Sequence, residues 1–389
     1  MAKNRQRGEG SVFQRSSDRK WGASLTYIDP HTNKARRVTK WVNTKQQASE
    51  QLNKLKAELH LGNSLQESRD TFGHWLNVWV SRSLKSSSRK ETTKELYANI
   101  VKTCLLPYFE QMPLNKITPS EIEVWLNVLN TTAQNGKPYS PSTIRQAFTL
   151  LGLVMEFAKR EGLVNRNVVK QISRPLVPKK EMVWFNSEQI GALRKSATGT
   201  RHANLLDLVI YAGLRKGEAL ALRWTDIELD RKQIQINATL SVTKAKGIER
   251  TSTKTERARR VVPLVQEAIT ALQEQRKQQN IERLKAGEAW TPSDYVFTNE
   301  IGLPIDPHIT LKWFKRLRKR AGIKEGTWHS LRHSAITALL LANVPLNVVS
   351  AIAGHSSISV TVDMYGHVSQ NGLSDEMQRG LKGYGSASA

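Results

Sequence analysis

The stretch Trp328-His329-Ser330-Leu331-Arg332-His333, then an apolar run, Gly354-His355 and finally Tyr365-Gly366-His367, decides how the chain reads. His329 and Arg332 stand three apart, so a helix projects both from one face. That sets a group able to move a proton beside a fixed guanidinium. Gly354 lets the backbone turn and bring His355 close to a ligand. Tyr365 falls on a further short helix. His, Arg, His and Tyr in this order suit attack on a phosphodiester by a tyrosine hydroxyl. The apolar run from Ile336 to Gly354 is broken by Asn343, Pro345 and Asn347, so it reads as a buried helical pair and not a membrane span.

Two upstream segments complete the pattern. Arg215 lies in Ala212-Gly213-Leu214-Arg215-Lys216-Gly217-Glu218, and Lys254 in Ser252-Thr253-Lys254-Thr255. With His329, Arg332, His355 and Tyr365 these residues resemble the tyrosine recombinases of the phage integrase type. That family spreads Arg, Lys, His-x-x-Arg, His or Trp, and Tyr along a C-terminal catalytic domain. Any one of these positions alone is a weak signal, and six in order are a strong one. Ser330 departs from the acidic residue often found there, without disturbing the chemistry.

The chemistry explains the residue types. Transesterification at a phosphodiester loads negative charge onto the non-bridging oxygens. An arginine fork binds two oxygens and stays charged, so Arg215 and Arg332 can clamp the phosphate from two sides. The phenol of Tyr365 is a poor nucleophile, with an ordinary pKa of about 10. His329 is the candidate base, Lys254 the candidate acid for the leaving deoxyribose oxygen, and His355 a hydrogen-bond donor to the phosphate. Lys244, Lys246 and Lys216 compete with Lys254 for its role. Glu218, one turn after Arg215, orients its neighbours. His333 and His367 read as structural. The product is a 3'-phosphotyrosine that a second DNA hydroxyl can reverse, so no cofactor or metal is expected. The chain carries no Gly-rich Walker loop and no acidic cluster spaced for magnesium.

A length of 389 residues suggests two or three domains. The formal net charge of +25 points to a polyanion, nucleic acid first. A single cysteine, Cys104, excludes an internal disulfide or a cysteine-based zinc site. The charged N-terminus lacks an apolar signal core. These features fit the cytoplasm of a bacterial host and no membrane partner.

The expected class is mainly α with small antiparallel β elements. Residues 1–62 read as a module with thirteen Lys plus Arg against five Asp plus Glu. Strands over Ser11–Gln14, Trp21–Ile28 and Ala35–Val42 precede a helix capped by Thr44 and stopped at Gly62. Arg15, Arg19, Lys20, Arg36 and Arg37 would let the sheet enter a DNA groove. This resembles the arm-binding domain of phage and conjugative-element integrases; a merely basic appendage is the blander reading.

Residues 63–172 read as a helical bundle, which in the resembled family is the core-binding domain. Its second stripe, Thr92 to Tyr108, is expected to stop at Leu106-Pro107. DNA-contact candidates are Arg82, Lys85, Arg89, Lys90 and Lys94, then Lys137, Tyr139, Ser142 and Arg145; a solvated charged face is the alternative. Residues 173–181, with Lys179 and Lys180, read as a basic linker that completes a clamp on the duplex. Residues 182–389 form the α+β catalytic domain. It is expected to hold one strand over Ile234–Val242, a second over Arg257–Pro263, and a hairpin loop from Lys244 to Thr255. Leu373, Met377 and Leu381 mark an amphipathic tail that the resemblance implies packs in trans, linking a homotetramer on DNA.

The resemblance thus implies an integrase acting on core and arm sites of double-stranded DNA, inserting and excising a phage or mobile element. An excision factor and a host DNA-bending protein are candidate partners. Rivals are a Xer-like recombinase resolving chromosomes or plasmids, a type IB topoisomerase activity, and a catalytically inactive DNA-binding regulator. The N-terminal module argues against the first, and the complete residue set against the last.

Overall fold

The computed structural model describes residues 10–28, 35–60, 71–131, 136–164, 166–178, 181–252, 259–355, 357–359 and 361–362. Lys254, Tyr365, His367, Lys179, Lys180, Leu373, Met377 and Leu381 lie outside them. The chain forms two compact units, residues 1–179 and 180–389.

The first unit opens with an antiparallel sheet of β1 (Ser11–Gln14), β2 (Trp21–Ile28) and β3 (Ala35–Val42), in that order. Helix α1 (Lys45–His60) covers one face, packing Ala48, Leu52 and Leu55 on Ala23, Leu25 and Tyr27. Thr44 caps it by accepting the Gln47 N–H at 3.2 Å. The register pairs Tyr27 with Arg36 and Thr26 with Arg37. Alternation therefore sends Arg36 to the α1 side and Arg37 to the open face. On that open face Phe13 and Trp41 meet edge to face, centroids 5.3 Å apart. Gly22 makes room, since a Cβ there would lie 2.9 Å from the Trp41 ring.

A second core follows, built by α2 (Phe72–Trp79), α3 (Glu91–Ile100), α4 (Leu106–Phe109), α5 (Pro119–Thr131) and α6 (Pro141–Arg160) around Trp125, Phe72, Phe109 and Leu151. The expected stop at Leu106-Pro107 is not there. A π turn over Val101–Leu105 widens the helix, which continues through Pro107 to Phe109. Proline removes one helical N–H, and the structure answers each loosened carbonyl. Tyr139 Oη donates to Thr103 O at 3.0 Å and Trp125 Nε1 to Cys104 O at 2.8 Å. The Tyr139 hydroxyl is thus committed inside the bundle, against its reading as a DNA contact.

The second unit is centred on α8 (Ala203–Ala212), whose Leu205, Leu206, Leu208 and Val209 are fully buried. It follows α7 (Ser187–Ala197) and precedes α9 (Lys216–Ala221). The expected single strand is two. Strand β5 (Gln233–Ile236) pairs with β4 (Ile227–Glu228) and β8 (Arg260–Pro263), while β6 (Ala238–Thr243) pairs with β7 (Gly247–Ser252). The chain changes sheets at Asn237, which donates to Asp226 Oδ1 and accepts from Arg250 Nη2, both at 2.8 Å. The expected hairpin loop is therefore partly strand: β7 occupies half of it. Helices α10 (Gln266–Ala286), α11 (Pro307–Arg320), α12 (Trp328–Leu341) and α13 (Leu346–Ala353) complete the unit. The turn between the last two contains Asn343 at φ +58, where the apolar run was expected to break, but the pair is only partly buried: Leu341, Leu346 and Val348 are exposed.

Candidate active site

Helix α8 ends at Gly213 in the left-handed region, φ +62. Arg215 follows at once as the N-cap of α9. In the first turn, Glu218 accepts the Arg215 backbone N–H at 3.0 Å and its Nη1 at 2.7 Å. Between them Gly217 lets α9 lie against β6, for a Cβ there would stand 2.3 Å from Thr239 Oγ1.

Helix α12 carries the second guanidinium inward. Arg332 is 2% exposed, donating from Nη1 to Gly213 O at 2.8 Å and from Nη2 to Ala353 O. Arg215 Nη2 donates to Gly354 O at 3.1 Å. Two guanidiniums distant in sequence therefore converge on consecutive carbonyls at the C-terminal end of α13. Those carbonyls carry the negative end of the helix dipole, which holds cations in place. Gly354, at φ +62, turns the chain so that His355 follows immediately. His355 Nδ1 lies 2.8 Å from the hydroxyl of buried Thr361. His329 presents an edge to solvent, and its ring meets His333 at 4.5 Å between centroids.

The electrostatics are those of a site short of anions. Partial enclosure, then the Arg332 and Arg215 charges, lower the His329 pKa. Burial and the Arg332, Arg215 and Arg260 charges lower His355 to about 4. Burial, with His329 and Arg332, lowers His333 to about 4. All three imidazoles are accordingly neutral at neutral pH, so His329 is able to accept a proton. Burial pushes the Glu218 carboxyl up, but hydrogen bonds to Arg260 and the charges of Arg260 and Arg215 outweigh it and leave the pKa at about 2. An arriving phosphate would find several donors and few competing anions. Among the described residues no group of three or more His, Cys, Asp or Glu side chains is placed to hold a metal.

Arg215, Glu218, His329, Arg332 and His355 are thus gathered in one place. Lys254 and Tyr365 lie outside the described residues. Of the competing lysines, Lys216 donates to Pro307 O at 3.2 Å and Lys246 pairs with Glu249 at 3.3 Å. In the first unit Arg15 pairs with Asp18 and lies 4.3 Å above the Trp41 ring. Arg19 takes φ +55 at the β1–β2 turn beside exposed Lys20. Arg89 lies 5.9 Å from the Tyr97 ring, Lys90 is the N-cap of α3, and Ser142 and Arg145 occupy the start of α6. Lys94 is turned back to Glu91 at 3.0 Å and Lys85 O at 2.9 Å, which leaves it little reach toward a duplex.

Two features escaped the sequence reading. Arg260, at the start of β8, donates two hydrogen bonds to the Glu218 carboxylate beneath the site, at 3.1 and 2.9 Å. Helix α11 turns Phe314 and Leu317 inward and leaves Lys312, Lys315, Arg316 and Lys319 exposed. That spacing makes one cationic face. The run Lys312-Trp313-Phe314-Lys315-Arg316-Leu317-Arg318-Lys319-Arg320 could have flagged it.

Comparison with known proteins bears directly on this arrangement. Residues 184–371 match the phage integrase family, and residues 71–130 its N-terminal SAM-like domain. A XerC-like tyrosine recombinase of Caldanaerobacter subterraneus subsp. tengcongensis is 31% identical over 318 residues, covering 77% of this chain and 79% of that protein. The chain belongs to the tyrosine recombinases of the phage integrase family. An integrase of Streptomyces ambofaciens is 25% identical to this recombinase over 377 residues, 94% of each chain. Its fold is also that of the Tn1549 transposon integrase solved with transposon right-end DNA, at a TM-score of 0.67 and 20% identity over 80% of this recombinase and 99% of that chain. Lambda integrase, solved as a tetramer on a Holliday junction, superposes at 0.56 with 17% identity over 91% and 93% of the two chains.

Proposed function

We propose that this recombinase is the integrase of a phage or other mobile element, joining and excising it at attachment sites on double-stranded DNA. The observation that carries the reading is the meeting of Arg215 and Arg332 on the adjacent carbonyls of Gly354 and Ala353, with His355 next in the chain. A scissile phosphate bridging those guanidiniums has its developing charge met from two sides. Tyr365 Oη attacks phosphorus, His329 takes the phenolic proton, and Lys254 protonates the departing 5'-oxygen. The bond formed is a 3'-phosphotyrosine, and its reversal on a second strand completes exchange.

The open face of the N-terminal sheet, with Arg37, Arg15, Phe13 and Trp41, serves as the arm-site surface in residues 1–62. The exposed face of α11 and the start of α6 serve as core-site surfaces. DNA binding and assembly fit relatives such as the lambda integrase tetramer on a Holliday junction. No helix among the described residues is long and apolar enough to cross a membrane, which suits action on DNA in a bacterial cytoplasm.

The test is a DNA substrate nicked beside the crossover point, which traps the covalent complex. Wild type should accumulate it and Tyr365→Phe should not, while both bind the DNA. A wild type that binds but traps nothing would favour the regulator. The 31% identity to a XerC-like protein favours a second reading, chromosome or plasmid resolution. Deleting residues 1–62 separates the two: an integrase loses recombination between attachment sites, whereas a Xer-like enzyme keeps its exchange.

A further inference from the structure

Beneath the guanidinium pair sits a side chain that no proposed step uses. Arg260 has a side chain only 6% exposed, against Glu218 at 4%. Its two terminal nitrogens hold both Glu218 oxygens, and Nε donates to Ile352 O at 2.7 Å. Its stem also fills the space that a side chain at Gly354 would need, with Cδ 2.8 Å from an ideal Cβ. One residue therefore touches three parts of the site: the acid that orients Arg215, the end of α13, and the turn leading into His355.

A buried ion pair is a poor source of net stability, because desolvation cancels much of the attraction. Its geometry is another matter. A bidentate guanidinium pair adds geometric specificity as well as energy, so Arg260 holds both oxygens of Glu218 in one orientation. The same oxygens receive the backbone N–H and Nη1 of Arg215. Rotation of the carboxylate would swing Arg215 off the Gly354 carbonyl.

We propose that Arg260 is a positioning residue for the recombinase, locking Glu218 and the Ile352–Gly354 turn so that Arg215 and His355 face the scissile phosphate. This rests on the cleavage reaction proposed above. Among the described residues Arg260 acts through Glu218 and the α13 carbonyl. Loss of an outer partner costs about tenfold to hundredfold around metal ligands, and a loss of that order is expected for a partner that holds Arg215. The loss should fall on the cleavage rate, not on DNA affinity.

The experiment uses the full chain and the nicked substrate at saturating and limiting DNA. Arg260→Lys keeps the charge but not the fork; Arg260→Met removes both. The expected result is a cleavage rate lowered about tenfold for Arg260→Lys and about a hundredfold for Arg260→Met, with dissociation constants within about twofold of wild type. A pH profile adds a readout that simple loosening would not move. Among the described residues, the charged or titratable groups facing Glu218 are Arg215, Arg260 and, across the site, His329. With Arg260→Met the carboxyl binds a proton more readily, so cleavage falls more steeply on the acid side than in wild type. Wild-type rates in both variants, or losses confined to affinity, overturn the proposal. If Arg260→Met does not fold, Arg260→Lys decides by the same split. A wild type that forms no covalent complex sinks the cleavage reaction instead, an outcome distinct from either.

Discussion

The helical core around Trp125 and the core around the candidate active site bury their polar atoms in opposite ways. In the first, the polar groups turned inward are neutral: an indole N–H, a tyrosine hydroxyl, the amide of Asn167. No Asp, Glu, Lys, Arg or His of the first unit is buried among the described residues, whereas Glu218, Asp226, Arg332 and His355 are buried in the second. Burying charge is expensive unless it is fully partnered. The contrast teaches where the molecule accepts that expense: around the guanidinium pair of the candidate active site, and at the Asn237 sheet change, where Asp226 is partnered by Asn237 and Arg250.

The strongest way to break the contrast is Arg332→Ala. Cleavage of the nicked substrate should fall about a thousandfold, as when a preorganised donor to a developing charge is lost; a loss below tenfold would make Arg332 a scaffold only. The opposite experiment is Leu151→Ala in the apolar core. It should cost about 2–5 kcal/mol of stability in a denaturant titration, while cleavage per folded molecule stays at the wild-type level. Acid should discriminate too. His355 and His333, at about 4 in the fold, bind protons more readily unfolded, near 6.5. Their depressed values mean that stability holds above about 6.5 and is lost as pH falls toward 4, on the sign of proton linkage. Tm measured across that window should drop in wild type and drop less in His333→Phe. The mildest effect is expected on α11: Lys315→Ala should weaken DNA binding and reduce the slope of log affinity against log salt by about one. An unchanged slope would remove α11 from the interface.

Local signals carried most of what could be read in advance. Thr44 and Gly354 mark element ends because cap chemistry is written in one or two residues. His329 with Arg332, and Arg215 with Glu218, were legible because three residues on a helix bring side chains together. Arg260 was not, since its partner lies 42 positions back and β8 otherwise reads as an ordinary alternating strand. The sheet change at Asn237 was hidden because Ile234, Ile236, Ala238 and Leu240 keep a period of two across it. Pro107 reads as a stop, yet a π turn and two side-chain donors carry the helix past it. The α11 cations were overlooked because a charge run usually means a solvated face.

Gly354 has a genetic consequence. An alanine there would meet two separate obstacles: a left-handed backbone that disfavours a Cβ, and the stem of Arg260. Trimming Arg260 clears the collision but leaves the handedness. A suppressor hunt begun from Gly354→Ala should therefore return revertants to glycine and no one-step rescue elsewhere, because no lone substitution answers both objections.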